Sequence, residues 1–304
     1  MELIEINKSP VKSLLPILLL DKTTGCNVIF ATDAYKEYGF DERSQITANA
    51  LEALKDAIQP RVAKSPETQA ARTKAKAEVF TPSWIVNKMN NHCDEEWFGR
   101  KDVFHMEKDQ NWQTNAGSIS FENTGYTWQD YVLSKRIEIT CGEAPYIVSR
   151  YDASTGNPIA IENRIGILDR KLRVINENTR SEDEWLEWTR KAYQSVYGYE
   201  FQGDSLLIAR INLLLTFTEY YGKRYGTLPE KKHLTAIAQV IAWNIWQMDG
   251  LKGTVPFAEP QKEQPGLFDF MMEECSSEKP DAECKVMDWQ NKTETTYIKI
   301  REGK

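Results

Sequence analysis

The 304-residue chain has no Cys-x-x-Cys pair, and its three histidines stand at no metal-ligand spacing from one another. Its five cysteines, Cys26, Cys93, Cys141, Cys275 and Cys284, are odd in number and far apart. A disulfide framework or a four-ligand zinc site needs closely spaced pairs, so the pattern argues for reduced thiols and against structural zinc. Cys275 and Cys284 are close enough to clip a metal, but no second pair completes the set. No apolar run is long enough to span a bilayer. "LLPILLL" at residues 14–20 is short, lacks a signal-peptide pattern and reads as a buried strand or helix turn. An excess of positive charge is missing too: the formal charge is −7, which excludes wholesale histone-like binding to nucleic acid. A local basic patch stays open, because phosphate attraction decays over about 10 Å in ordinary salt. Together these absences predict a cytoplasmic protein with no membrane partner.

What is present suits a folded chain. Apolar residues make up 41% and there are nine tryptophans and thirteen tyrosines, enough for a sizeable core and too many for disorder. Residues 1–40 mix short apolar runs with turn signals such as "DKTTGCN" and predict a small β-rich cap. Apolar spacing predicts a helix within 43–60, stopped by Pro60. The following stretch, "RVAKSPETQAARTKAKAE", is polar and basic. It is a solvated linker or, through Arg72, Lys74 and Lys76, a phosphate-facing patch.

Thr81 and Pro82 predict a helix start, with Trp84, Ile85 and Met89 on one face. Residues 99–128 read as loops or a small hairpin insertion. Beyond them the pattern alternates. "IEIT" is a strand, "EDEWLEWTRKAYQSV" a helix, "YGYE" a strand, and "DSLLIARINLLLTFTEYYGKRYG" and "EKKHLTAIAQVIA" are helices. "WNIWQMD" is the next strand. Alternation over this length predicts a parallel sheet with helical crossovers. After residue 250 the chain is rich in Pro, Glu, Gln and Ser and is expected to end in one β segment, "TTYIKI". No internal repeat is apparent.

The chemistry gathers at the carboxyl ends of the strands, where open α/β sheets bind their ligands. The first candidate strand carries Glu138 and runs into Cys141-Gly142. The second ends in Glu200, and the third in Asp249-Gly250. A carboxylate at the second strand can accept from both hydroxyls of a ribose diol, and one after the third can take an adenine amino hydrogen. Acids also cap strand ends and helix starts for purely structural reasons, so the combination and its order carry more weight than any single residue.

Four segments resemble those of adenine-specific DNA methyltransferases of the type I modification-subunit class. "EVFTPSWIVNKM" resembles their cofactor segment, and "EITCGEAPYIV" their Asp-Pro-Ala-Cys-Gly-Ser-Gly-x-Phe-Leu motif. "VYGYEFQGDSLLIARINLLL" resembles their Gly-x-Glu segment with the Ala-Arg-x-Asn-Leu helix, and "NIWQMDGL" their next strand. The likeness covers about residues 72–252, and Ala209-Arg210-Ile211-Asn212-Leu213 is its most specific part. It implies a Rossmann-like α/β sheet that binds S-adenosylmethionine. The implied organisation is an N-terminal helical and β extension (1–70), a cofactor domain (71–252, with the insertion 99–128) and a C-terminal tail (253–304). Thr81 and Pro82 would position the methionine end of the cofactor. Glu138, Thr140, Cys141 and Gly142 would surround its amino-acid moiety, Glu200 would hold the ribose, and Asp249 would approach the adenine. Double-stranded DNA is the implied substrate, with Arg72, Lys74 and Lys76 near its phosphates, and a specificity or recognition subunit is an implied partner.

This sequence departs from the family pattern in two places. Glu143 and Ala144 replace the usual Ser-Gly, and Ala144 brings a Cβ where close backbone approach is expected. Pro145 then fits the first turn of a following helix. The Asn/Asp-Pro-Pro-Tyr/Phe tetrapeptide that orients the target adenine is missing. "TVPF" at 254–257 has only its Pro and Phe, and follows Asp249 too closely for an intervening helix and strand. The residues after Asp249 are too few for the remaining strands and a target-recognition domain. Three readings follow: a DNA adenine methyltransferase-like subunit that needs a partner, a catalytically inactive pseudo-methyltransferase that binds DNA or a partner, and a small-molecule methyltransferase. Trp185, Trp188, Trp243 and Trp246 are expected in the core rather than stacked on bases. Cys141 has no nearby histidine in sequence to make it a nucleophile.

Overall fold

The computed structural model of the protein describes residues 3–54, 57–65, 67, 69, 81–258 and 283–302. The chain opens with helix α1 (Val11–Leu18), which buries Val11, Leu14, Leu15 and Leu18. Those four positions follow the i, i+3, i+4, i+7 spacing of one helical face, so "LLPILLL" folds as helix despite Pro16. The expected β-rich cap shrinks to the isolated bridges Leu20↔Asn27 and Ile29↔Gln45. Within 43–60 the helix α2 spans only Ala48–Ala53, opened by the Thr47 side chain accepting from the Ala50 N–H. Cys26 is disulfide-bonded, so the expectation of reduced thiols fails there, while Cys93, Cys141 and Cys284 are free.

Helix α3 (Ser83–Phe98) follows Pro82 and ends on Gly99 in the left-handed region. Its buried face is not the expected one: Met89 is exposed, and the buried stripe contains Asn87, Asn90, Asn91 and Asp94. The stripe exists to serve a buried arginine. Arg170 donates to Asn87 Oδ1 (2.9 Å), Asn91 Oδ1 (3.0 Å) and the Asp94 carboxylate. The Tyr131 hydroxyl also donates to Asp94 (2.9 Å). A guanidinium left unpaired there would be very costly, so the helix face is polar by necessity. Between 99 and 128 the expected hairpin is present, as β1 (His105–Lys108) and β2 (Asn111–Thr114). Helix α4 (Trp128–Leu133) follows, closed at its start by a Thr127–Asp130 capping box.

The alternating region builds a three-stranded parallel sheet in the order β3 (Arg136–Ile139), β4 (Val196–Glu200), β5 (Ile245–Gln247). Glu138 sits beside Gly198, and Glu200 beside Gln247. Helices α5 (Ile167–Asn178) and α6 (Glu182–Gln194) connect β3 to β4, and α7 (Gly203–Tyr225) and α8 (Lys231–Asn244) connect β4 to β5. Acids at 182–184 and the Ser181 cap favour the start of α6 through its dipole. Helix α7 buries fifteen residues on most of its circumference and stops at Gly226 in the left-handed region. The protein is thus mixed α/β.

Strand alternation divides the core in two. Val196 and Ile245 join the large helical cluster, which reaches from Ile4 in the N-terminal extension to α8. Tyr199 and Trp246 face the other way, into a smaller cluster with Met248, Val255, Cys284 and Val286. That second face is roofed by the hairpin β6 (Lys285–Asp288) and β7 (Thr293–Thr296) and by helix α9 (Tyr297–Glu302). The predicted final β segment therefore splits, with "TT" in β7 and "YIKI" helical. On β3, Ile137 and Ile139 share this face but remain exposed. Trp185 and Trp246 are core residues, as expected. Among the described residues, no helix is long and apolar enough to cross a membrane, and no His/Cys/Asp/Glu group could hold a metal ion.

His105 at the root of the hairpin is buried, and burial, reinforced by Arg170 and Arg173, pushes it down to about 2. It stays neutral in the folded chain but is protonated in the unfolded one below about pH 6.5. Its contribution to stability is therefore present above that pH and lost as pH falls. Between pH 6.5 and 5 the loss is about 1–2 kcal/mol. In urea unfolding at the two pH values, His105→Gln should be less acid-sensitive than the wild type by that amount.

Candidate functional site

The loop after β3 is drawn over the strand ends by buried carboxylates. The Cys141 N–H continues the ladder to the Tyr199 carbonyl (2.8 Å), and Gly142 then turns at φ 52°. The Gly142 N–H donates to Glu200 Oε2 (2.9 Å). Glu138 accepts from the Tyr146 (3.3 Å) and Ile147 (3.2 Å) N–H groups. Glu143 accepts from the Arg61 N–H (2.6 Å) and the Tyr151 hydroxyl (2.7 Å). Desolvation raises all three carboxyls, Glu138 well above its ordinary range, while the N–H and O–H donors oppose the rise.

Neighbouring glycines make room for this arrangement. A Cβ at Gly198 would lie 3.0 Å from that of Cys141, so the glycine lets the loop settle on β4. Cys141 itself is buried, and its thiol is pushed well up by burial and the nearby Glu138 and Glu200. This is a packing residue, not a nucleophile. Ala144 occupies the left-handed region at φ 64° and is fully buried. The position where the resemblance expects glycine thus keeps a glycine-like backbone despite its Cβ. No helix follows Pro145, contrary to expectation. Glu138 takes the N–H groups of Tyr146 and Ile147, and the next helix, α5, begins at Ile167.

Helix α7 fixes the loop from the side. Asn212 Nδ2 donates to the Glu143 carbonyl (3.1 Å) and the Tyr151 hydroxyl (3.0 Å). Helix α3 fixes it from another: Asn90 donates to the Tyr146 (3.1 Å) and Ile165 (3.0 Å) carbonyls, and Ser83 hydrogen-bonds Asp152. Glu138, Cys141, Gly142 and Glu200 come together at this loop, whereas Thr81 and Pro82 stand at the head of α3, where the Pro82 carbonyl accepts from the Ile85 and Val86 N–H groups. Thr140 is exposed beside Cys141. Asp249 lies two residues past β5, and its carboxylate closes its own turn on the Leu251 (3.1 Å) and Lys252 (3.3 Å) N–H groups. Arg72, Lys74 and Lys76 lie outside the described residues.

Two contributors escape a motif-based reading. Phe201, next to Glu200, meets Phe257 edge-on at 5.5 Å between ring centres, and Arg43 lies over the Phe257 ring at 5.2 Å. The signal was the "TVPF" segment, which supplies this ring. The other contributor is the N-terminal extension. The Ile29 N–H and carbonyl bond the Gln247 side chain (2.9 and 2.8 Å), and the Phe30 carbonyl accepts from the Gly203 N–H (3.0 Å). A Cβ at Gly203 would fall 1.9 Å from the Ile29 oxygen, so only glycine admits this approach. The strand ends thus bring together a carboxylate that accepts from the Gly142, Gln202 and Phe201 N–H groups, an open glycine turn and a half-buried aromatic pair.

Backbone strain at Ala144 is testable. Left-handed φ costs a non-glycine residue about 1–2 kcal/mol, which offsets the lost methyl and the added unfolded-state freedom of glycine. Ala144→Gly should therefore change unfolding free energy by less than about 0.5 kcal/mol, whereas Ala209→Gly within α7 should cost about 1 kcal/mol or more. Chemical denaturation of the two variants checks the contrast.

Compared with known proteins, the chain matches no family model, no curated protein and no solved structure.

Proposed function

We propose that the protein binds S-adenosylmethionine and serves as a modification subunit of the DNA adenine methyltransferase type. The observation that carries this reading is the hydrogen bond from the Gly142 N–H to Glu200, which couples the loop after β3 to the acid ending β4. In a parallel sheet of order β3-β4-β5, a glycine turn and a carboxylate then stand side by side at the carboxyl ends, and on this reading the carboxylate takes the ribose diol. A Rossmann-like methyltransferase sheet is the finer fold this reading implies.

The residues fit the nucleoside end of the cofactor better than its amino-acid end. Nothing lies within 4 Å of a Cβ built on Gly142, so a ligand has room to approach its backbone. Glu200 keeps one acceptor site for a ribose hydroxyl beyond the Gly142, Gln202 and Phe201 N–H groups. Phe201 and Phe257 offer an aromatic wall for the adenine. Glu138, in contrast, is engaged by the loop backbone, so its role is to hold the loop rather than the ligand. Asp249 is engaged by its own turn. When bound, the cofactor supplies an electrophilic methyl group. The protein's residues bind and orient the nucleoside, and double-stranded DNA with a recognition subunit completes the proposed assembly.

A second reading is favoured by the missing Asn/Asp-Pro-Pro-Tyr/Phe tetrapeptide. On that reading the fold is kept without the chemistry, and the chain binds DNA or a partner. Calorimetric titration with S-adenosylmethionine separates the two. The first predicts micromolar binding, weakened about tenfold or more in Glu200→Ala and in Phe201→Ala, with circular dichroism unchanged. Absence of binding by folded wild-type protein at about 1 mM cofactor would sink it and leave the second.

A further inference from the structure

We propose that a cavity lined by none of Gly142, Glu200, Phe201 and Phe257 binds a small carboxylate carrying an apolar body. The cavity has a volume of about 550 Å³ and lies between α5, the end of α7, the β1–β2 hairpin and the turn at 161–164. Its apolar surface includes Phe104, Ile161 and Tyr220, and its cations are Arg164, Arg170, Arg173 and Lys223.

The polar groups of the lining are almost all committed. Arg170 is satisfied by α3 and the Ile165 carbonyl, and Lys223 pairs with Glu162. Arg173 bonds Glu177 and the carbonyls of Asn115 and Gly117, while Arg164 bonds Glu219 and the Ile159 carbonyl. Asp169 Oδ2 accepts from the Ser149 N–H (2.8 Å) and hydroxyl (3.1 Å), while its Oδ1 is buried without a hydrogen-bond partner beside the Arg164 charge. Two donors remain: Arg164 Nη1 and Arg173 Nη1 are buried and have no hydrogen-bond partner. The Arg164 side chain is more than nine-tenths buried.

Buried guanidinium N–H groups are rarely left unpaired, because desolvation is then uncompensated. The group that complements two of them is a planar oxygen acceptor, and a carboxylate matches guanidinium geometry best. Charge limits the choice further. The four lining cations outnumber the three lining carboxylates, Glu162, Asp169 and Glu177, by one, and behind them Glu219 is paired with Arg150 as well as Arg164, and Asp94 with Arg170. A single negative charge is tolerated in such surroundings, whereas a dianionic phosphate meets more repulsion. Neutral His105 adds no charge, and the aromatic walls favour an apolar body on the ligand.

The test uses the full chain, with sodium benzoate as probe and inorganic phosphate and acetate as comparisons, read by calorimetry. Benzoate should bind saturably, acetate more loosely and phosphate least. Arg173→Gln should weaken benzoate by about tenfold. Ala116→Trp places bulk at an exposed lining position and should abolish binding without touching an ion pair, so it decides the matter should Arg173→Gln fold poorly. S-adenosylmethionine affinity should be unchanged in Ala116→Trp. No saturable benzoate binding up to about 10 mM, equal affinity in wild type and Ala116→Trp, or a preference for phosphate would each overturn the proposal.

Discussion

Arg210 sets the terms on which the rest of the molecule assembles. Its guanidinium is fully buried on α7 and donates to the carbonyls of Leu18 (2.6 Å), Leu20 (3.1 Å), Ala242 (3.3 Å) and Ile245 (2.8 Å). Burial lowers it to about 10, yet it remains a cation at neutral pH. A buried charge met by carbonyl oxygens tolerates little displacement, so the end of α1, the end of α8 and the start of β5 are fixed against one helix. Arginine suits the task because its rigid fork reaches several acceptors at once, which an ammonium cannot do over the same span. Two residues on, Asn212 points to another side of α7 and fixes the Glu143 carbonyl. The same helix therefore sets both the N-terminal extension and the strand-end loop. Ala-Arg-x-Asn-Leu has a physical reading here that needs no ligand.

The strand-end loop shows the opposite balance. Glu138, Glu143 and Glu200 are raised by burial, and Ala144 holds a left-handed backbone in the core. None of these choices favours stability alone. They are retained together because the loop N–H groups need acceptors and the carboxylates need donors, and each satisfies the other. Strain and perturbed acids concentrated in one loop are what a binding site costs its scaffold. Structural networks perturb acids as well. The discriminating feature is Glu200, whose acceptor capacity exceeds its internal donors.

Legibility from sequence followed how each residue's partner is found. Helices α6, α7 and α8 and strand β4 announce themselves through local periodicity, and the strand-end acids fall where the alternation puts them. Helix α5 has no counterpart in the sequence analysis, and its Asp169, Arg170 and Lys171 are charged residues that are all buried. Their partners are remote: Asn87 lies 83 residues from Arg170, and Val132 lies 39 from Lys171. The same distance hides the polar face of α3, since Asn87, Asn91 and Asp94 keep helical spacing but carry no apolar signal. "TTYIKI" misled in the reverse sense. Its alternation is strand-like, but the Tyr297 N–H ends the ladder on the Cys284 carbonyl and the chain turns into helix. Phe201 was within reach, standing beside the acid already singled out, and only its pairing with Phe257 required the fold.

The sheet's second face explains why the tail belongs to the structure of the site. A parallel sheet is ordinarily covered on both sides, because its strands carry apolar residues on each. Here the crossover helices cover one face, and Cys284 and Val286 of the β6 region cover Tyr199 and Trp246 on the other. The turn at Asp249 makes this possible: its bridge to Thr254, and that residue's bridge to Glu283, bring the tail back beneath β5. Val255 and Phe257 ride on the same turn, one entering the second core and the other meeting Phe201. The aromatic wall proposed for the nucleoside is thus positioned by the same residues that seal the sheet. The cover does not extend to Ile137 and Ile139 on β3, which remain 47% and 62% exposed. Packing of the second face therefore constrains the Glu200 side of the crevice more firmly than the β3 side, where the loop must rely on its buried carboxylates and Asn212.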